Sequence, residues 1–190
     1  MLGTAYYPEH WEEDRIEKDL SAFRNNGIEF VRIGEFMWSV LEPEEGKYNL
    51  SLLKKTMDIC KTLQIKVILS TPSATPPAWL ISKYPQILQK DIASDTRNFG
   101  GRRHYCYNSK EYALYVSKIV ELLASEFSSH DALYAWQIDN EFGCEDTSHC
   151  FCEKCDENFR TYLEDKYGDI GSLNKSWGTV FWSQIYNSFS

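Results

Sequence analysis

No run of apolar residues in this sequence approaches the roughly 18 that a membrane span needs, which excludes a spanning helix. Basic clusters are missing as well: 20 lysines and arginines stand against 28 acidic residues, for a formal net charge of −8. That balance removes the electropositive footprint that nucleic acid or an anionic membrane surface requires. The first residues lack a charged segment followed by an apolar one, so no secretion signal is read, and the expected location is cytoplasmic. There is no Gly/Ser/Pro-rich linker, low-complexity tract or short-period repeat, and residues 1–190 therefore read as a single domain.

What the chain does have is apolar mass. Forty-three per cent of its residues are hydrophobic and 15% aromatic, enough for a sizeable core and far from the compositions of disordered chains. Six cysteines are present, at 60, 106, 144, 150, 152 and 155. Without a secretion signal they read as thiols or metal ligands rather than disulfides.

Strand and helix signals alternate along the sequence. A first strand, Leu2 to Tyr7, precedes a helix from Glu12 that carries Ile16, Leu20 and Phe23 on one stripe and stops at Asn25-Asn26-Gly27. A second strand, Phe30 to Ile33, leads into the Gly34-to-Trp38 loop and a helix around Leu52 to Leu63. The third strand, Lys66 to Thr71, is a β-branched run ended by Pro72, with Thr75-Pro76-Pro77 opening a short helix to about Tyr84. Residues 85–108 show no periodicity, which a compact domain tolerates mainly in a functional loop. An amphipathic helix from an Asn108-to-Glu111 capping signal to Phe127 precedes a fourth strand, Leu133 to Asp139. A further helix spans Glu153 to Tyr167. Parallel strands need crossover connections, and helices are the usual ones, so four repeated βα units on a parallel sheet are expected.

The fourth strand ends in Asp139-Asn140-Glu141. Alone, an Asn-Glu pair is an ordinary turn. At the C-terminal tip of a barrel strand it points at the site, and a carboxyl group in a partly apolar mouth can act as a general acid.

Cys150-x-Cys152-x2-Cys155 sets three thiols within six residues. With Cys106 from the preceding loop they make an all-sulfur set, which suits a closed structural zinc site better than a catalytic one; Cys144 and His149 are alternative fourth ligands. Trp11, Trp38, Trp79 and Trp182 offer faces for a sugar ring, and Arg102, Arg103 and Glu35 offer hydrogen bonds to hydroxyls.

Five ordered motifs carry a resemblance: Thr4-to-Trp11, Arg32-Ile33-Gly34-Glu35-Phe36, Leu41-Glu42-Pro43, Thr71-to-Leu80 and Trp136-to-Glu141. Together, from Gly3 to about Trp182, the chain resembles glycoside hydrolase family 42, the β-galactosidases. The resemblance implies a retaining (β/α)8 TIM barrel that cleaves terminal non-reducing β-D-galactose, with Glu141 as the strand-four acid/base. It also implies a sugar 2-hydroxyl contact for Asn140, a substrate-binding role for Arg102, and zinc ligation by Cys106, Cys150, Cys152 and Cys155. Trp182 would be an aromatic wall.

Retaining hydrolysis needs a second carboxylate, on strand seven in this family, and only four βα units are legible here. The expectation is therefore the first half of a TIM barrel, inactive alone, associating as a homo-oligomer (a trimer by family resemblance) or with a complementing C-terminal half. Two other readings compete: a non-catalytic zinc-stabilised sugar-binding or assembly module, and a zinc-ribbon nucleic-acid module that the acidic charge disfavours.

Overall fold

The structure, a computed structural model, describes residues 2–190. Four strands form one all-parallel sheet in the order β1 (Leu2–Ala5), β2 (Ile28–Ile33), β3 (Lys66–Ser70), β4 (Leu133–Gln137). Each strand pairs with its sequence neighbour, Ala5 with Arg32, Arg32 with Ile68, and Ile68 with Ala135. The connections are helical: α1 (Glu13–Asn25), then the single turn α2 (Trp38–Leu41) with α3 (Ser51–Thr62), then α4 (Ala78–Lys83) with α5 (Lys110–Phe127). The alternation of signals predicts the four βα units on a parallel sheet, and together they make a partial α/β barrel, as the family resemblance implies.

Period-two alternation sorts each strand between two faces. Val31, Ile33, Val67 and Leu69 are fully buried under the helices. Their neighbours Phe30, Arg32, Lys66 and Ile68 line the opposite, more open face, where the Lys66 ammonium lies 4.8 Å from the Tyr134 ring centre. On the helical side Ile16, Leu20, Leu53, Met57, Ile119, Leu123 and Phe127 close the core, each fully buried aliphatic side chain contributing about 1.5–3 kcal/mol. Cys60 belongs to this core, and burial pushes its thiol up to about 12, so it is a packing residue.

Element ends differ from the sequence reading where a local contact decides them. β1 stops at Ala5 and β4 at Gln137, two residues short of the predicted ends, because Pro8 turns the chain in one and Asp139 takes a left-handed φ of 60° in the other. The cap of α5 is Ser109, whose hydroxyl accepts from the Tyr112 N–H at 3.1 Å. α6 (Glu153–Tyr167) spans the predicted residues, and a last helix, α7 (Ile170–Trp177), lies beyond anything predicted. Its signals are present in the sequence: Asp169 accepts from the Ser172 N–H at 2.9 Å, and Gly178 ends the helix at φ 66°. Gly34 is required where it stands. Its φ is 101°, and a Cβ there would sit 3.1 Å from the Ser70 carbonyl oxygen, so β2 could not turn away so close to β3 with any other residue.

Candidate active site and metal centre

Because the strands are parallel, their C-terminal ends share one side of the sheet, and the chemistry-bearing residues of β4 emerge there. Ser70 donates to the Gln137 amide oxygen at 2.6 Å, and the Gln137 amide nitrogen donates to the Asn140 side-chain oxygen at 3.2 Å. Asn140 is thereby held nearly buried, 4% exposed. Asp139 and Glu141 on either side both sit in the left-handed region, at φ 60° and 45°. Non-glycine residues there cost on the order of 1–2 kcal/mol each, so surrounding contacts must hold the turn.

Those contacts are plentiful. The Asp139 N–H donates to the Thr71 hydroxyl at 2.9 Å; the Asp139 carboxylate accepts from Ser73 at 3.0 Å and from the Asn140 N–H at 2.8 Å. Its other oxygen accepts from the Arg103 guanidinium at 2.8 Å and the Tyr105 hydroxyl at 3.3 Å. Tyr105 in turn stacks on Tyr112 at 3.8 Å between ring centres, which ties the network to the start of α5.

Glu141 lies outward of this turn, about half exposed, and pairs with Arg102. The same guanidinium meets Glu145 through Nη2 at 2.9 Å and Nε at 3.3 Å. Hydrogen bonds donated to Glu145, with the charge of Glu141 added, raise the Arg102 pKa above its ordinary value. Three predicted site residues are thus neighbours: Arg102, Asn140 and Glu141.

Others named from sequence lie elsewhere. Arg103 is 1% exposed, and its terminal nitrogens are engaged by Asp139, the Asn140 carbonyl and Tyr107, so it is part of the turn's support. Glu35 is fully buried and pairs with Arg32 at 2.8 Å. Trp38 and Trp79 give their indole N–H groups to the Glu42 carboxylate and main-chain carbonyl, at 2.9 and 2.8 Å; Trp38 is fully buried in the core, which removes it as a sugar platform, and Trp79 is partly buried against the same core. Trp11 is half exposed under the Arg15 guanidinium, and Trp182 is 78% exposed. Sequence reasoning missed Thr71, Ser73, Asp139, Tyr107 and Glu145. Thr71, Ser73 and Asp139 lay inside quoted motifs without a role of their own, Asp139 also as a carboxylate at a strand end; Tyr107 and Glu145 carried no signal.

The four cysteines predicted as ligands do converge. The Sγ atoms of Cys106, Cys150, Cys152 and Cys155 all lie within 4.8 Å of one another, with 3.6 Å from Cys106 to Cys152 and 3.3 Å to Cys155. Thiolates about 2.3 Å from a tetrahedral zinc would be about 3.8 Å apart, so the set has the dimensions to hold one metal ion. Asn108 donates to Cys106 Sγ at 3.4 Å and to Cys155 Sγ at 3.1 Å. Cys144 is exposed and, with His149, lies outside this group. The cluster joins two loops: the Cys106 N–H donates to the Ile87 carbonyl at 2.6 Å, and the Phe151 N–H to that of Lys90 at 2.8 Å.

Comparison with known proteins settles the class and then the family. Over 99% of its length the chain superposes on the beta-galactosidase of the psychrophilic Marinomonas ef1, with a TM-score of 0.94 and 45% identity, covering 29% of that chain. It superposes likewise on a catalytic mutant of Gan42B, a GH42 beta-galactosidase from G. stearothermophilus, with a TM-score of 0.92 and 38% identity, covering 28% of it. The chain thus has the fold of the corresponding part of these hydrolase barrels.

The sequence model of the family Glyco_hydro_42, described as beta-galactosidase, matches residues 5–190, and the chain belongs to glycoside hydrolase family 42. It is 47% identical over 190 residues to a beta-galactosidase from Thermus thermophilus. The chain spans about 30% of the length of that relative. Among the described residues no helix is long and apolar enough to cross a membrane.

Proposed function

We propose that this chain supplies the acid/base side of a retaining β-galactosidase site, with Glu141 as the residue that protonates the glycosidic oxygen and later deprotonates water. The observation that carries the reading is the position of Glu141. It stands at the C-terminal end of β4, half exposed and beside Arg102, on the side of the sheet where α/β barrels do their chemistry. Asn140, with its amide oxygen held by Gln137, has its Nδ2 donors left for the hydroxyl next to the anomeric carbon. A bond there strengthens as positive charge develops on the ring. Arg102 binds substrate, exchanging part of its contact with Glu141 and Glu145 for sugar oxygens. The substrate is a β-D-galactoside, the chemistry named for the relatives.

The attacking carboxylate is assigned to the part of the relatives that this chain does not span, and turnover is expected only when that part is supplied, whether as a continuation, a second chain or another copy in an oligomer. The whole chain is read as one portion of a catalytic barrel. Cys106, Cys150, Cys152 and Cys155 hold a structural zinc, which when bound fixes the 85–108 loop to the segment after β4. An all-thiolate set leaves no open coordination position, so no step of the reaction is routed through it.

The assignment of Glu141 is checked with leaving groups, in a barrel completed by joining this chain to the remaining part of the Thermus relative. Glu141→Gln should slow hydrolysis of a galactoside with a poor leaving group by about 10³-fold, and that of a dinitrophenyl galactoside far less at the galactosylation step. Equal small losses for both would refute the assignment.

A further inference from the structure

Arg103 is the one cation of the site that solvent does not reach, and nothing in the reaction as described uses it. A buried guanidinium carries a large desolvation cost unless its donors are met, so its partners show what holds it there. One arm, Nη1, is shared between the Asp139 carboxylate at 2.8 Å and the main-chain carbonyl of Asn140 at 2.6 Å. The other, Nη2, donates to the Tyr107 hydroxyl at 3.0 Å, and Tyr107 donates on to the Thr147 carbonyl at 2.9 Å. The backbone of Arg103 is tied to β3's end, its N–H donating to Ala74 at 2.8 Å. The guanidinium carbon lies 5.0 Å from the centre of the Phe142 ring.

We propose that Arg103 is a positioning residue for catalysis: it fixes the Asn140 peptide between two left-handed residues and thereby sets where the Glu141 carboxyl points. The inference rests on the acid/base reading of Glu141 and deepens it. Asp139 and Glu141 have positive φ, and the peptide between them is free to swing unless its carbonyl is pinned. Only one side chain pins that carbonyl among the described residues, and it does so while pairing with Asp139 and holding Tyr107, whose hydroxyl in turn bonds Thr147 in the segment after β4. A planar fork meets these acceptors together; a lysine ammonium, a point charge on a flexible stem, reaches one or two. Misplacing a proton-transferring group by about 1 Å can cost about 100-fold in rate.

The test has two arms. In the chain itself, Arg103→Lys should speed amide hydrogen exchange across residues 138–145 while β3 keeps its protection. In the completed barrel, Arg103→Lys should lower kcat for a poor-leaving-group aryl galactoside by about 100-fold with little change in KM, whereas a dinitrophenyl galactoside should lose about tenfold or less.

Added azide attacks a galactosyl-enzyme without needing a base. It should therefore restore dinitrophenyl galactoside turnover in Arg103→Lys, and more fully in Glu141→Gln, and yield galactosyl azide. A residue that merely stabilised the fold would lose activity equally on both substrates and gain nothing from azide, and that result overturns the proposal. If Glu141→Gln responds to azide and Arg103→Lys does not, the positioning role falls and the acid/base reading stands; if neither responds, both fall. Should Arg103→Lys fail to fold, Tyr107→Phe removes the Nη2 contact while keeping the ring, and must show the same substrate and azide pattern at smaller size.

Discussion

Two parts of this molecule are built on different physics. The sheet with α1, α3 and α5 is held by apolar burial: Ile16, Leu20, Val31, Leu53, Met57 and Ile119 are all fully buried. The strap formed by residues 85–108 and 139–152 has few such residues. It is held by the Arg103–Asp139 pair, by Arg97 donating to the carbonyls of Glu145 and Asp146 at 3.1 and 2.7 Å, and by the four gathered cysteines. The difference is instructive. A site must place polar groups at fixed angles, and hydrophobic burial is non-directional, whereas hydrogen bonds and metal–thiolate bonds have direction.

If that contrast is right, metal removal should act on the strap and spare the sheet. A zinc site in this class contributes on the order of 10 kcal/mol to the ordering of its ligands. Cys152→Ser, or treatment with a strong chelator, should release about one zinc per chain and abolish exchange protection at 87–107 and 144–152, leaving β2 and β3 protected. Protein that is well folded yet holds no metal would remove the distinction. Truncation in the core should do the reverse. Leu20→Ala, at a fully buried position, should cost about 2–5 kcal/mol by denaturant titration while zinc stoichiometry stays unchanged.

Smaller effects sharpen the picture. Ser109→Ala removes the cap of the helix that carries Tyr112 under the strap, and should cost about 1 kcal/mol. Burial pushes the carboxyl group of Glu9 above the usual carboxylate range, and the charge of Glu35 adds to the shift. A raised carboxyl pKa gives stability that is complete below the unfolded-state value and is lost as pH rises through the folded-state one. Glu9→Gln should therefore become more stable relative to the parent as pH rises from about 4 to 7, and a gap that does not change with pH would contradict this. The exposed pair Lys61–Asp131, 2.7 Å apart, should be silent: Lys61→Met should leave the denaturation midpoint unchanged within error.

Sheet and strap also differ in how far they could be read from sequence. Lys66-Val67-Ile68-Leu69-Ser70 and the stripe Tyr112, Tyr115, Ile119, Leu123, Phe127 fold as their periodicity predicts, because burial on one face is a repeating signal. Three of the four gathered cysteines stood out by their spacing, Cys106 joined them as one of several candidates and through the family resemblance, and Glu141 drew notice from its place at a strand end. Arg103 was not. Its neighbour Arg102 is chemically identical, yet one is buried against Asp139 and the other reaches Glu141 and Glu145, because Arg103 itself takes a left-handed φ of 57° that turns the two side chains to opposite sides. Nothing periodic announces such a turn. The left-handed φ at Asp139, which ends β4 early, and that at Glu141 beyond it were hidden for the same reason.

In the proposed reaction Glu141 acts with a carboxylate from the part of the relatives this chain does not span. The direct measurement is hydrolysis of an aryl β-D-galactoside by the purified chain alone, by the remaining part of the Thermus relative alone, and by the two joined. Turnover is expected only from the joined protein, lost for a poor leaving group in its Glu141→Gln variant. Turnover by the joined protein that Glu141→Gln leaves intact would contradict the role given to Glu141.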